Sequence, residues 1–263
     1  MAATGSPSDP MAPLPIVQAY GYRETVGRTL RSPEIIPGET TFTAVVAGQS
    51  NCGNYGNFTS VSLTNGAKID NLNFFDGGLY SPAYPAIGCE APGGNWVWQF
   101  ADKLITGGVC QRVILAPVAV GGTFINAWAN DENLFGRITI ALRRLAAVGR
   151  PADAILWQQG ETDGEAGTSQ ATWQARFGTM KGRVVAAGFD PAWFVARSTL
   201  INGVTYSAIR AAQAAVVDGV KVFAGPDTDT LTGGTNRHDN THFTATGADA
   251  AATLWKNAVD AVI

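Results

Sequence analysis

The sequence predicts an α/β chain built as a three-layer α/β/α sandwich around a parallel sheet of about five strands. Short apolar runs alternate with amphipathic helical stretches from Thr41 to the C-terminus. The apolar runs are nearly continuous, as strands covered on both faces must be. The residues with chemistry to offer stand just past the ends of these runs, where open α/β sheets place their ligands.

Taken in order, residues 1–15 are rich in Pro, Ser, Ala and Gly and read as a tail or linker. Residues 16–40, with Pro33 and Pro37, read as an ordered N-terminal extension, and 41–263 as the main domain. The first strand is expected at 42–47. The stretch 52–90 is polar, Gly-rich and aromatic, too long for a plain connector and suited to a functional loop. Helical periodicity follows at 95–106, a buried strand at 112–119 ended by Gly121-Gly122, and an amphipathic helix at 134–148 with Arg143 and Arg144 on its wet side. Then come strand 153–158, helix 169–187, strand 193–198, helix 204–217, strand 220–224 and a final helix from Thr246. Strands separated by helices demand right-handed crossovers with helices on both faces, a flavodoxin-like arrangement.

Bulk properties narrow the function. At 263 residues with 46% hydrophobic content, one well-cored domain is expected. Charged residues are 15%, against an average of about 25%. Net charge is −3 without a basic run, so no nucleic-acid partner is expected and a neutral substrate suits the chain. No stretch approaches the roughly 18 apolar residues of a membrane span, so no membrane partner is expected either. The first residues lack the basic and apolar regions of a signal peptide as written, and neither compartment nor oligomeric state is legible. Cys52, Cys89 and Cys110 contain no CxxC pair, and with two histidines they suggest no metal site and no cofactor. A Cys89–Cys110 disulfide and three free buried thiols both remain open.

The chemistry starts from Val45-Val46-Ala47-Gly48-Gln49-Ser50-Asn51, a strand running into a glycine and a serine. A serine hydroxyl needs a base to act as a nucleophile. It also suits the N-cap of a strand-to-helix turn, where a helix dipole would assist it. His242, in Asp239-Asn240-Thr241-His242-Phe243, can serve as that base. A carboxylate three residues earlier, Asp239, can turn back onto Nδ1 and leave Nε2 facing the serine. His238 lacks a partner at that spacing, and His242 could alternatively cap the final helix. A tetrahedral oxyanion needs preorganised donors: the Ser50 N–H, an N–H of Gly121 or Gly122, and the Gln159 side-chain amide. Glu161 and Asp163 could form the acid pair of a glycosidase, but carboxylates two apart after a strand more often hold a loop. Trp157 and Trp128 read as packing residues, with Trp128 able to line a pocket.

The blocks Gly48-Gln49-Ser50-Asn51, Gly121-Gly122-Thr123, Trp157-Gln158-Gln159-Gly160-Glu161-Thr162-Asp163 and Asp239-Asn240-Thr241-His242-Phe243 resemble, in order, those of the SGNH (GDSL-like) hydrolase superfamily. The sialate O-acetylesterase and acetyl xylan esterase branch, carbohydrate esterase family six, is the part of it they look like. The resemblance implies metal-free ester hydrolysis through an acyl-enzyme, with Ser50 as nucleophile, His242 as base, Asp239 as orienting acid and Gln159 where many members have asparagine. It implies release of acetyl groups from a glycan or small-molecule ester. A general short-chain carboxylesterase or arylesterase, and a non-catalytic carbohydrate-binding or structural module, are the alternatives.

Overall fold

The computed structural model describes residues 21–32 and 36–263. The expected tail and the extension up to residue 20 lie outside the described residues, as do 33–35. The strands are β1 (Leu30–Arg31), β2 (Thr41–Gly48), β3 (Ile69–Leu72), β4 (Leu79–Tyr80), β5 (Arg112–Pro117), β6 (Ala154–Gln158), β7 (Ala192–Arg197) and β8 (Val222–Asp227). They form one sheet in the order β1-β4-β3-β5-β2-β6-β7-β8.

Within it, β5-β2-β6-β7-β8 are the expected strands, parallel throughout. That order is the 2-1-3-4-5 arrangement of flavodoxin-type sheets. The strand number is corrected from about five to eight. β1, β3 and β4 are two to four residues long, too short for periodicity to reveal. β3 and β4 lie inside the polar loop 52–90, and β4 pairs antiparallel on both sides, with β3 and with β1 at the edge.

Each buried strand feeds two cores. In β2, Val45 and Ala47 face one side, and Phe42, Ala44 and Val46 the other. This is the period of two that a pleated strand imposes. The first core is closed by α2 (Ile125–Asn130), α3 (Glu132–Ala147), α5 (Gln170–Ala186) and α6 (Ser207–Ala215), with Trp128, Trp157, Trp173 and Trp193 buried within it. The second is closed by α1 (Val97–Thr106) and α8 (Ala245–Asp260), where Trp96 and Trp255 stack at 4.7 Å.

Helix starts follow capping rules. Asp131, Ser169 and Thr244 accept the N–H of Asn133, Thr172 and Gly247 at the head of α3, α5 and α8. Thr244 therefore caps the final helix, and His242 is left free of that duty. Three short helices, α2, α4 (Glu161–Glu165) and α7 (Gly233–Asn236), lie outside the expected set because one or two turns carry too little period. Arg144, expected on the wet side of α3, is fully buried. All three cysteines are free and buried. Burial pushes the thiols of Cys89 and Cys110 up to about 12 and about 11, leaving them inert.

Candidate active site

β2 and β6 are the strands at which the chain order reverses, and their carboxyl ends carry Ser50 and Gln159. Gly48 ends β2 at φ 138°, and a Cβ there would lie 2.0 Å from the Gln158 carbonyl oxygen. Only glycine lets the two strands run this close into the site. The chain then makes a single 3-10 turn, Ser50–Cys52, closed by Gly53 N–H donating to the Ser50 carbonyl at 2.9 Å. The expected strand-to-helix turn is corrected here: no α-helix follows Ser50, so neither N-cap nor macrodipole acts on it. Ser50 is buried, and its backbone N–H has no acceptor among the described residues.

The residues flanking Ser50 tie it to the block after β6. Gln49 Oε1 accepts the N–H of Gly160 at 3.2 Å and of Thr162 at 3.3 Å, satisfying free donors at the head of α4. Asn51 Nδ2 donates to Glu161 Oε1 at 2.8 Å, and Ser198 Oγ donates to the same oxygen at 2.7 Å. Glu161 is fully buried, which raises its pKa against the lowering effect of these bonds. Asn51 Oδ1 accepts from Arg237 Nη1 at 2.9 Å. The same guanidinium donates to the carbonyls of Thr241, Thr228 and Leu231 at 2.6, 2.7 and 2.9 Å and lies 3.8 Å from the Phe243 ring centre. Burial pulls its pKa down to about 10. Arg237 thus clamps the residue after Ser50 to the residue before His242.

The Asp239–His242 turn folds on itself through Asn240, which sits at φ 61°. Asparagine tolerates that left-handed conformation. Asp239 Oδ1 then accepts the N–H of Thr241 at 2.9 Å and of His242 at 2.6 Å, and Oδ2 meets His242 Nδ1 at 2.7 Å. Partial burial raises the Asp239 pKa, but the bonds from His242 and Thr241 and the imidazole charge outweigh it and bring it to about 2. The carboxylate is therefore ionised at neutral pH and holds Nδ1 protonated. The Tyr55 ring lies flat on His242, centroids 5.2 Å apart.

The candidate oxyanion donors fall into two groups. Gly122 is at φ 65° in a turn pinned by Thr123, whose hydroxyl donates to the Val120 carbonyl at 2.8 Å and accepts the Trp128 indole N–H at 2.8 Å. The Gly122 N–H has no acceptor among the described residues. The Gly121 N–H is engaged, donating to Glu90 Oε2 at 2.9 Å, and Tyr55 Oη donates to the same oxygen at 2.9 Å. Gln159 is fully buried. Its Oε1 accepts the Trp173 indole N–H at 3.0 Å, while Nε2 donates to the Thr123 carbonyl at 3.0 Å and to Asp163 Oδ2 at 2.5 Å. An indole N–H is only a donor, so it fixes which end of the amide is oxygen. Both Gln159 N–H groups are thereby committed. This geometry favours an anchoring role for Gln159 over the oxyanion role expected of it. Asp163 Oδ2 also accepts the Ile125 N–H at 2.7 Å, so both carboxylates of a supposed glycosidase pair hold loops instead.

Glu90 and Arg237 escape the reading of the sequence. No local signal marks Glu90, which lies 31 residues from its partner Gly121. His238, which has no carboxylate three residues before it, stands beside the turn with Nε2 3.2 Å from the Tyr55 carbonyl. His238, Asp239 and His242 offer ligand atoms within 4.8 Å of one another. The Asp239–His242 pair is already joined by its own hydrogen bond.

Among solved structures, a protein of Arabidopsis thaliana matches with TM-score 0.69 and 18% identity over 86% of this chain and 100% of its own. NanS matches with TM-score 0.57 and 16% identity over 86% and 97%. A carbohydrate acetylesterase from Xanthomonas citri matches with TM-score 0.56 and 14% identity over 84% of this chain and 56% of its own. These likenesses show the fold. Among curated proteins, none matches in sequence. Residues 43–260 match the SASA family, described as carbohydrate esterase, sialic acid-specific acetylesterase. With so much of the chain covered, the protein belongs to this carbohydrate esterase family and is a carboxylic ester hydrolase acting on acetylated carbohydrates.

Proposed function

We propose that Ser50, His242 and Asp239 perform this hydrolysis by a two-step acyl-enzyme route. The observation that carries the reading is the Asp239–His242 turn, in which one carboxylate accepts two backbone N–H groups and the imidazole Nδ1–H. That arrangement leaves Nε2 unprotonated to take the Ser50 proton as Oγ attacks the ester carbonyl. The imidazolium so formed is stabilised by Asp239 and returns the proton to the departing sugar oxygen. Water then repeats the sequence on the acyl-enzyme, releasing the short acid and restoring Ser50. The backbone N–H groups of Ser50 and Gly122 are the donors ready to receive the oxyanion. Gly121 could join them only once its bond to Glu90 opens.

The test is Ser50→Ala with folding checked by circular dichroism. Its kcat for an acetyl ester is expected to fall by roughly 10⁴ to 10⁶. Near wild-type turnover by a folded Ser50→Ala protein would remove Ser50 from the mechanism.

A further inference from the structure

The Tyr55 ring that covers His242 is also one wall of a groove of about 450 Å³, lined further by Asn54, Asn57, Phe58, Ala91 and Pro92. Pockets that hold small ligands have this size and this mixture of apolar surface with a few polar groups. Asn57 is exposed, and the half-buried Phe58 ring is fixed edge-on against Tyr84 at 5.4 Å. The groove therefore presents two fixed aromatic rings and an amide capable of bonding a hydroxyl.

Charge around it runs one way. The segments carrying the site, 49–61, 86–96, 118–130, 158–169, 198–207 and 228–245, contain a single Arg or Lys, Arg237. Arg237 is buried and committed to Asn51 and three carbonyls. The same segments carry Glu90, Glu165 and Asp239 at least partly open to solvent. Of the cations outside them, Arg28 donates to the Ala83 and Pro85 carbonyls, Arg137 is buried and donates to the Val118 and Gly88 carbonyls, and Arg197 and Arg210 pair with Asp227 and Asp229. The His238 imidazole at the rim stands with Asp239 beside it. A substrate carboxylate would meet Glu90 and Asp239 without a free guanidinium or ammonium to answer it.

Resting on the esterase reading of Ser50, we propose that this groove is the glycan subsite and that it selects an uncharged sugar, disfavouring acetyl esters of carboxylate-bearing sugars. The test compares acetate release from 9-O-acetylated sialic acid, from its C1 methyl ester and from a neutral acetylated methyl glycoside, with p-nitrophenyl acetate as reference. The methyl ester removes the charge and leaves the acetylated sugar otherwise intact. At low ionic strength its kcat/KM is expected to exceed that of the free acid by about tenfold or more, with the gap narrowing in high salt. Asn57→Lys, which places a cation in the groove, should narrow the gap at low salt as well. Equal kcat/KM for acid and methyl ester, or a faster acid, overturns the proposal while leaving the esterase reading standing. Failure to release acetate from any ester, the reference included, takes down the esterase reading and this proposal with it.

Discussion

At Gln159 the choice between catalysis and anchoring turns on partners. Its oxygen must face the Trp173 indole, which aims its amide hydrogens at Thr123 and Asp163. Gln159→Ala would strip partners from three buried groups at about 1–3 kcal/mol each, less whatever neighbours recover. A net loss of about 3 kcal/mol corresponds to a melting temperature lower by roughly 6–12 °C for a chain of this size. The expected outcome is that fall together with a raised KM, since the Gly121–Thr123 turn loses its support. An unchanged melting temperature with kcat alone reduced about 10²-fold or more would return Gln159 to the oxyanion site.

Asp239 provides a second residue-scale prediction. Its folded pKa of about 2 lies below the unfolded value of about 3.9. A depressed carboxylate favours the folded state above the unfolded pKa, and that contribution fades as pH falls through the folded pKa. The melting-temperature advantage of wild type over Asp239→Asn should decline as pH falls from about 4 toward 2. The Asp239 side chain is 42% exposed, so solvent screening keeps this advantage small. An advantage growing between pH 4 and pH 2 would contradict the assigned bonds.

Among the elements, Arg237 ties the turn after β2 and the turn after β8 to the segment before α8. Its planar fork reaches carbonyls at Leu231, Thr228 and Thr241 and the Asn51 amide at once. Lysine offers a single point charge in place of the fork and cannot reproduce this geometry. Arg237→Lys should lose about 3 kcal/mol of stability, because buried acceptors are left without donors. It should also lower kcat/KM by loosening the His242 turn from Asn51. A variant with wild-type melting and kinetics would show that the clamp is dispensable. The same scale explains the paired motifs: Gln49 and Asn51 hold Gly160, Glu161 and Thr162, so the serine block and the block after β6 stabilise one another.

For the molecule as a whole, the surroundings of His242 bear on acyl length. Tyr55, His238 and Asp239 stand around it, with Glu90 accepting from the Tyr55 hydroxyl, and these neighbours all carry polar groups. A longer acyl chain would gain about 0.8 kcal/mol per methylene, roughly fourfold in rate, only where it meets apolar surface. The rates of p-nitrophenyl esters are therefore expected to fall from acetate through butyrate to octanoate. A rising series would point to an apolar acyl channel and a general lipase-like specificity. No helix among the described residues is long and apolar enough to cross a membrane.

The sequence by itself determined the fold class, because buried parallel strands and their crossover helices each leave a local period in the chain. It also determined which side chains to propose for chemistry. Asp239 and His242 are three residues apart, and the Gly48–Asn51 block directly follows a strand, so neighbours along the chain carry those signals. Strands β1, β3 and β4 escaped because two to four residues hold no period. Only the tertiary structure decided that Gly122 and not Gly121 has an open N–H, that Gln159 is anchored, and that Glu90 and Arg237 stand beside the candidate site. The physical reason is the range of the interactions. Arg237 and Asn51 are 186 residues apart and Gln159 and Thr123 are 36 apart, so their hydrogen bonds exist only once the sheet gathers the strand ends along one edge. A residue type limits what a side chain can do, and the partners that the fold brings to it settle which of those things it does.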